Sequence, residues 1–183
     1  MRWGNVFALG VIAQFLVLPV SAAPAEAGLP RNPNIRFSDA IDGDAVIGPV
    51  RAGMLCLPNG KLKWDDMRIP SDAAASAIIE NALIQDGVFS TDVANTNREL
   101  RVSVDEIALH LCIPGIAGVG KSKGKGQISL RWIVSGRDNR SPQSFVTKIA
   151  LTIDGTDPRR SSRLIETALV EGAHAFAAQW KAK

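Results

Sequence analysis

The segment Gly115 to Ser122 of this 183-residue chain reads GIAGVGKS, which matches G-x-x-x-x-G-K-[ST] and follows an expected strand. In a nucleotide-binding loop of that form, glycines let backbone N–H groups wrap phosphates. The lysine meets the terminal phosphates and the hydroxyl binds Mg²⁺. Phe145 to Asp154 even closes on an aspartate after an apolar run, as a Walker B strand does. The context points elsewhere. The lysine and hydroxyl would have to open a helix whose N-terminus faces the phosphate. Here Ser122 leads through Lys123-Gly124-Lys125-Gly126 directly into a strand pattern, and glycine disfavours helix. The reading is a glycine-lysine hairpin loop with Lys121, Lys123 and Lys125 at a cationic tip, with no nucleotide and no cofactor. Such a tip suits an anionic lipid headgroup, a polyanion or an acidic partner; the plainer alternative is a solvated turn.

Cys56 and Cys112 are the only cysteines. In an oxidising compartment an even pair reads as a disulfide. The alternatives are two separately buried thiols, or a metal or redox site assisted by His110 and His174. Asp39, Asp42 and Asp44 resemble part of a Ca²⁺ loop but lack its downstream bidentate glutamate. His110 has the opposite parity to the inward residues around it. His174 belongs to the last helical segment, and neither histidine has an evident Ser, Cys or carboxylate partner. No catalytic or metal site is therefore assigned. Arg159, Arg160 and Arg163 crowd the start of the last helix, where the macrodipole disfavours cations. That conflict marks an anion or partner contact, or an exposed end that tolerates it.

The compartment is read from the N-terminus. Arg2 precedes an apolar run from Val6 to Val20, and Val20-Ser21-Ala22 offers the small residues a signal peptidase reads. The run is shorter than the roughly 20 residues a bilayer span needs. The expectation is a signal peptide over 1–22 and an exported chain, periplasmic or secreted. What remains is about 160 residues, enough for one domain with a core. A formal net charge of +3 is too small to imply nucleic acid. Tyrosine is absent and aromatics make up 5%, so base-stacking platforms are poorly supplied.

The elements that would position these residues follow from periodicity. Pro24 to Gly43 lacks it, so 23–43 reads as an extended N-terminal segment and 44–183 as a single domain. Ala45 to Leu57 suggests a bending strand and a second short one, Pro58-Asn59-Gly60 a turn, and Lys61 to Trp64 a strand. Ser71 or Asp72 caps a helix with Ala75, Ile78, Ile79, Ala82 and Leu83 on one face, closed by Gly87. Val88 to Arg98 reads as a loop. Leu100 to Val104 and Ile107 to Ile113 alternate with a phase flip at Asp105-Glu106, which predicts a β-bulge. Two further strands carry Ile128, Leu130, Trp132 and Val134, then Phe145, Ile149, Leu151 and Ile153. An antiparallel register with Val134 facing Phe145 and Leu111 facing Leu130 places every apolar set on one face. The opposite face then carries Ser129, Arg131, Ser135, Lys148 and Thr152. Asp157-Pro158 opens a last helix running to about Trp180, with Ile165, Ala168, Leu169, Gly172, Phe176 and Trp180 inward. The expected fold is an α+β two-layer sandwich: an antiparallel meander sheet with both helices on one face.

Ile69-Pro70 before an Ala-rich helix, "LIQDGVF" over Leu83 to Phe89, "ELRVSV" over Glu99 to Val104, and the ending Ala175 to Trp180 carry a resemblance. In order and texture the chain resembles the small α+β periplasmic proteins grouped with ABC-transport auxiliary and lipopolysaccharide-assembly lipoproteins. It departs from them in lacking the lipidated cysteine and in adding the Cys56/Cys112 pair. The resemblance implies a non-enzymatic envelope subunit that binds lipid, membrane or partner proteins. The leading expectation is accordingly a non-catalytic periplasmic binding or assembly module whose partner is an envelope protein or anionic lipid. An envelope enzyme or hydrolase inhibitor with an unrecognised site is the alternative, and a nucleotide-binding loop the remote one.

Overall fold

The computed structural model describes residues 35–88, 98–114, 121–136, 141–155, 159 and 161–182. The signal segment 1–22 lies outside them. So do residues 89–97 of the stretch read as a loop, the glycine-rich 115–120 and the Asp157-Pro158 pair.

The described residues form six strands and two α-helices: β1 Ile35–Ser38, β2 Val46–Ala52, β3 Leu57–Lys63, α1 Asp72–Gln85, β4 Arg98–Ile113, β5 Ser122–Gly136, β6 Gln143–Gly155 and α2 Arg163–Lys181. One sheet runs β3-β2-β4-β5-β6, with β1 also on β4. β4, β5 and β6 are the expected antiparallel meander. The sheet as a whole is mixed, not purely antiparallel. β1 lies parallel to the first part of β4, with Phe37 opposite Val102. β2 lies parallel to its end, with Val50 opposite Leu111. Ile35 and Phe37 alternate inward with Arg36 and Ser38 outward, so part of the 23–43 stretch read as a lead-in is a core strand. Two apolar residues were too short a pattern to distinguish from loop.

The expected faces hold while the registers slide. Trp132 stands opposite Phe145, and Leu130 opposite Thr147. That is a two-residue slip from the expected pairing, and an even slip keeps every side chain on its face. Leu111 pairs with Gly124, not with Leu130. β5 begins well before its apolar residues do, and Gly124 and Gly126 supply its inward positions there. A Cβ at Gly126 would come 2.3 Å from the Leu109 side chain, so that side chain fills the space a larger residue would need. The bulge falls where the phase flips, between Val104 and Glu106. Ser129, expected on the solvent face, sits opposite this bulge and is buried.

Both helices cover the apolar face. The Ser71 hydroxyl caps α1 by accepting from the Ala74 N–H at 3.3 Å, and Gly87 takes the positive φ of 65° that ends a helix cleanly. α1 buries Ala75, Ile79, Ala82 and Leu83. Its Ser76 hydroxyl also accepts from the β1 backbone at Phe37, 3.0 Å away. α2 starts at Arg163, later than the Asp157-Pro158 signal placed it, and Ser162 is its N-cap. It buries Ile165, Ala168, Leu169, Gly172, Phe176 and Ala177. At Gly172 the helix approaches so closely that a Cβ would meet the Leu130 side chain at 2.4 Å.

Candidate outer-face site

The helix-free face of the sheet carries the groupings of chemical interest, concentrated where β2, β4, β5 and β6 share an end. Across that end the register aligns Arg51 with Cys112, Cys112 with Lys123, and Lys123 with Asp154. One step in from it, His110 pairs with Lys125 and Lys125 with Thr152. Alternation puts these side chains outward, because their neighbours Val50, Leu111 and Ile153 point into the core. Together they line an open groove of about 690 Å³. Among the described residues, Arg51, Lys123 and Lys125 face a single carboxylate there, Asp154. An open, cation-rich floor of this kind can hold an anionic group by charge and hydrogen bonding.

Lys123 and Lys125 are therefore not at a loop tip. Both lie in β5, hydrogen-bonded between two neighbouring strands, while Lys121 is exposed just before it. The sequence concealed this because Ser-Lys-Gly-Lys-Gly has little β propensity of its own. Pairing on both sides overrides that weakness. The same fact counts against the nucleotide loop: Ser122 opens a strand, where that motif's phosphate binding needs a helix N-terminus. The Ser122 hydroxyl is buried on the core side of β5, with no hydrogen-bond partner among the described residues.

Cys56 and Cys112 are bonded, with Cα atoms 5.5 Å apart. The bond ties the β2–β3 hairpin turn to the outer face of β4. That turn is Gly53 to Cys56, earlier than the Pro58-Asn59-Gly60 signal, which instead lies inside bulged β3. The Cys56 N–H donates to Gly53 at 3.1 Å, and the Gly53 N–H donates to Ile113 at 3.1 Å. Cys56 adopts a φ of +49°, a left-handed conformation costing a non-glycine residue about 1–2 kcal/mol. The turn leaves Met54 94%, Leu55 79% and Leu57 60% exposed. Sequence reading passed over them, since an apolar run beside a strand looks like core.

Of the remaining candidates, His174 is held by a structural contact. His110 and Asp154 stand two strands apart, about 10 Å across the sheet, with the lysines of β5 between them. They form no imidazole–carboxylate pair. His174 does have a partner, contrary to the sequence reading: its Nδ1 lies 2.7 Å from Asp86. The Lys181 ammonium also donates to the Asp86 carbonyl, so the ends of α1 and α2 are clasped. Arg163 opens α2 with an exposed side chain.

The three aspartates of the acidic loop are likewise engaged. Asp39 accepts from the Trp64 indole at 2.6 Å and from Ile41 N–H at 3.2 Å. Asp42 accepts from Asp44 N–H at 3.2 Å. Lys63 donates to Asp44 at 2.6 Å and holds that carboxyl below its ordinary range. Trp64 is buried, so Asp39→Ala leaves an indole N–H without its acceptor. Urea denaturation is expected to show a loss of about 1–3 kcal/mol.

No family model matches this chain, and no curated protein does. Among solved structures, a minor lipoprotein from Acinetobacter baumannii is similar at 13% identity and a TM-score of 0.35, over 63% of this chain and 90% of that one. An uncharacterized protein is similar at 11% identity and a TM-score of 0.39, over 79% of this chain and 88% of that one. A Xanthomonas campestris protein of the DUF330 family is similar at 11% identity and a TM-score of 0.35, over 81% of this chain and 98% of that one. TM-scores under 0.5 establish neither a shared fold nor a shared activity. The groove and the bridged turn beside it stand as a site on their own chemistry.

Proposed function

We propose that this chain is an exported, non-catalytic binding or assembly module of the cell envelope, and that it engages an anionic partner through the outer face of its sheet. The observation that carries this reading is the groove in which, among the described residues, Arg51, Lys123 and Lys125 are opposed by Asp154 alone. Hydrolytic chemistry would call for an acid and a base within hydrogen-bond reach of one reacting group. The spacing of His110 and Asp154 favours anion capture instead. The signal-peptide pattern and the Cys56–Cys112 bond support an oxidising compartment.

The test is charge reversal. The Lys123→Glu/Lys125→Glu double variant changes two exposed positions and is expected to keep its fold. In pull-downs from envelope extracts, it should lose components that the tagged mature protein retains. Those same components should elute from the unaltered protein as salt is raised, because exposed charge pairs are screened. Retention of the same components by the double variant would overturn the reading.

A further inference from the structure

The hairpin turn at the edge of the groove adds a feature that charge alone does not explain. Isolated exposed apolar residues are ordinary on protein surfaces. Here Met54, Leu55 and Leu57 stand almost together in sequence, 94%, 79% and 60% exposed. A free turn of this composition could fold back and cover them. This one is held by the bond to Cys112 and by the Gly53–Ile113 hydrogen bond, so it stays out in solvent.

Cations sit immediately behind it. Arg51 precedes the turn by two residues, and Lys123 lies opposite Cys112, the residue the turn is bonded to. Lys121 is exposed at the same end of the sheet. Lys125 is two strand residues further back, about 7 Å, which is still within a Debye length at ordinary salt.

We propose that the turn inserts Met54, Leu55 and Leu57 into the surface of a bilayer carrying anionic lipid, while Arg51, Lys121, Lys123 and Lys125 meet the headgroups. This rests on the anionic-partner reading above and names the partner. A bilayer fits better than a protein for a geometric reason. The apolar side chains project from a convex tip, and a protein partner would need a matched pocket for each. A fluid interface needs none: apolar groups enter the acyl boundary by 5–10 Å while basic residues stay at headgroup level. That depth matches a turn whose first cation, Arg51, lies three residues behind Met54.

Binding is measured by co-sedimentation with vesicles of phosphatidylglycerol and phosphatidylcholine in equal parts, and with phosphatidylcholine alone. The mature protein should bind the mixed vesicles and bind phosphatidylcholine far more weakly. Met54→Ser/Leu55→Ser should weaken binding to the mixed vesicles by about tenfold or more, since it removes most of the inserted apolar area. A Leu55→Trp variant should gain a blue-shifted fluorescence component on those vesicles. Both substitutions fall on exposed turn positions, and far-UV circular dichroism checks that the fold is retained. Failure of the mature protein to bind the mixed vesicles would overturn the proposal. So would undiminished binding by the serine variant. If Lys123→Glu/Lys125→Glu abolishes binding and the serine pair does not, insertion is wrong and the anionic-partner reading survives. If the serine pair abolishes binding and charge reversal does not, the cationic-surface reading fails.

Discussion

Trp132→Ala lowers the unfolding free energy by about 3–5 kcal/mol, among the most severe single changes the fold can suffer. Three separate contributions meet at this side chain. Trp132 is fully buried at the centre of β5. Its ring stacks on Phe176 of α2 with centroids 4.8 Å apart, and Phe176 in turn meets Phe145 edge-on at 5.3 Å. Its indole N–H donates to the buried Thr147 hydroxyl at 2.9 Å. Alanine leaves a cavity between sheet and helix, ends the stack, and strands the threonine. Trp132→Phe separates these effects. It keeps most of the packing and costs about 1–3 kcal/mol, largely for the lost polar partner. Lys148→Ala, on the solvent face of β6, should stay within about 0.5 kcal/mol. Urea midpoints at constant m-value report all three variants. A Trp132→Ala cost under about 1 kcal/mol would mean that α2 does not pack on this part of the sheet.

The same cluster marks where sequence reading worked and where it stopped. Alternation is a local property, so Trp132, Leu130 and Ile128 could be assigned to the apolar face from their spacing alone. The flip at Asp105 was legible for the same reason, and the structure adds what the extra residue does: Asp105 lies outward and pairs with Arg131 at 2.6 Å. Register is another matter. It depends on where each strand begins, and β5 begins in six residues with no apolar side chain. The slip also suits Thr147, whose inward hydroxyl has the Trp132 indole as its donor; a polar residue at a core position is invisible to an apolar count. The parallel pairing of β1 and β2 with β4 was illegible because it joins segments some 60 residues apart, through hydrogen bonds any backbone can make. At the candidate site, the lysines and cysteines were found by type. Their convergence on one face could not be, since it follows from that pairing.

Removing the bond between Cys56 and Cys112 is the other large perturbation, and its expected size comes mostly from the unfolded chain. The bridge closes a loop with a sequence separation of 56 residues, for which the chain-entropy relation gives about 4 kcal/mol at room temperature. Thiol titration of the denatured, unreduced mature protein should therefore find no free cysteine, and two free thiols would remove the bond from the account. The Cys56→Ser/Cys112→Ser variant should unfold at lower urea, with a loss near that figure. The m-value distinguishes the cause. If the bond acts by restricting the denatured ensemble, the variant's unfolded chain is more expanded and exposes more surface, so m rises as stability falls. If it acts by holding the native turn in place, m is unchanged. The loss is then small, because the Gly53–Ile113 hydrogen bond persists in the native state. A rise in m together with a loss near 4 kcal/mol is the expected pair of results. It would mean that the bridge stabilises the whole fold by restricting the unfolded chain.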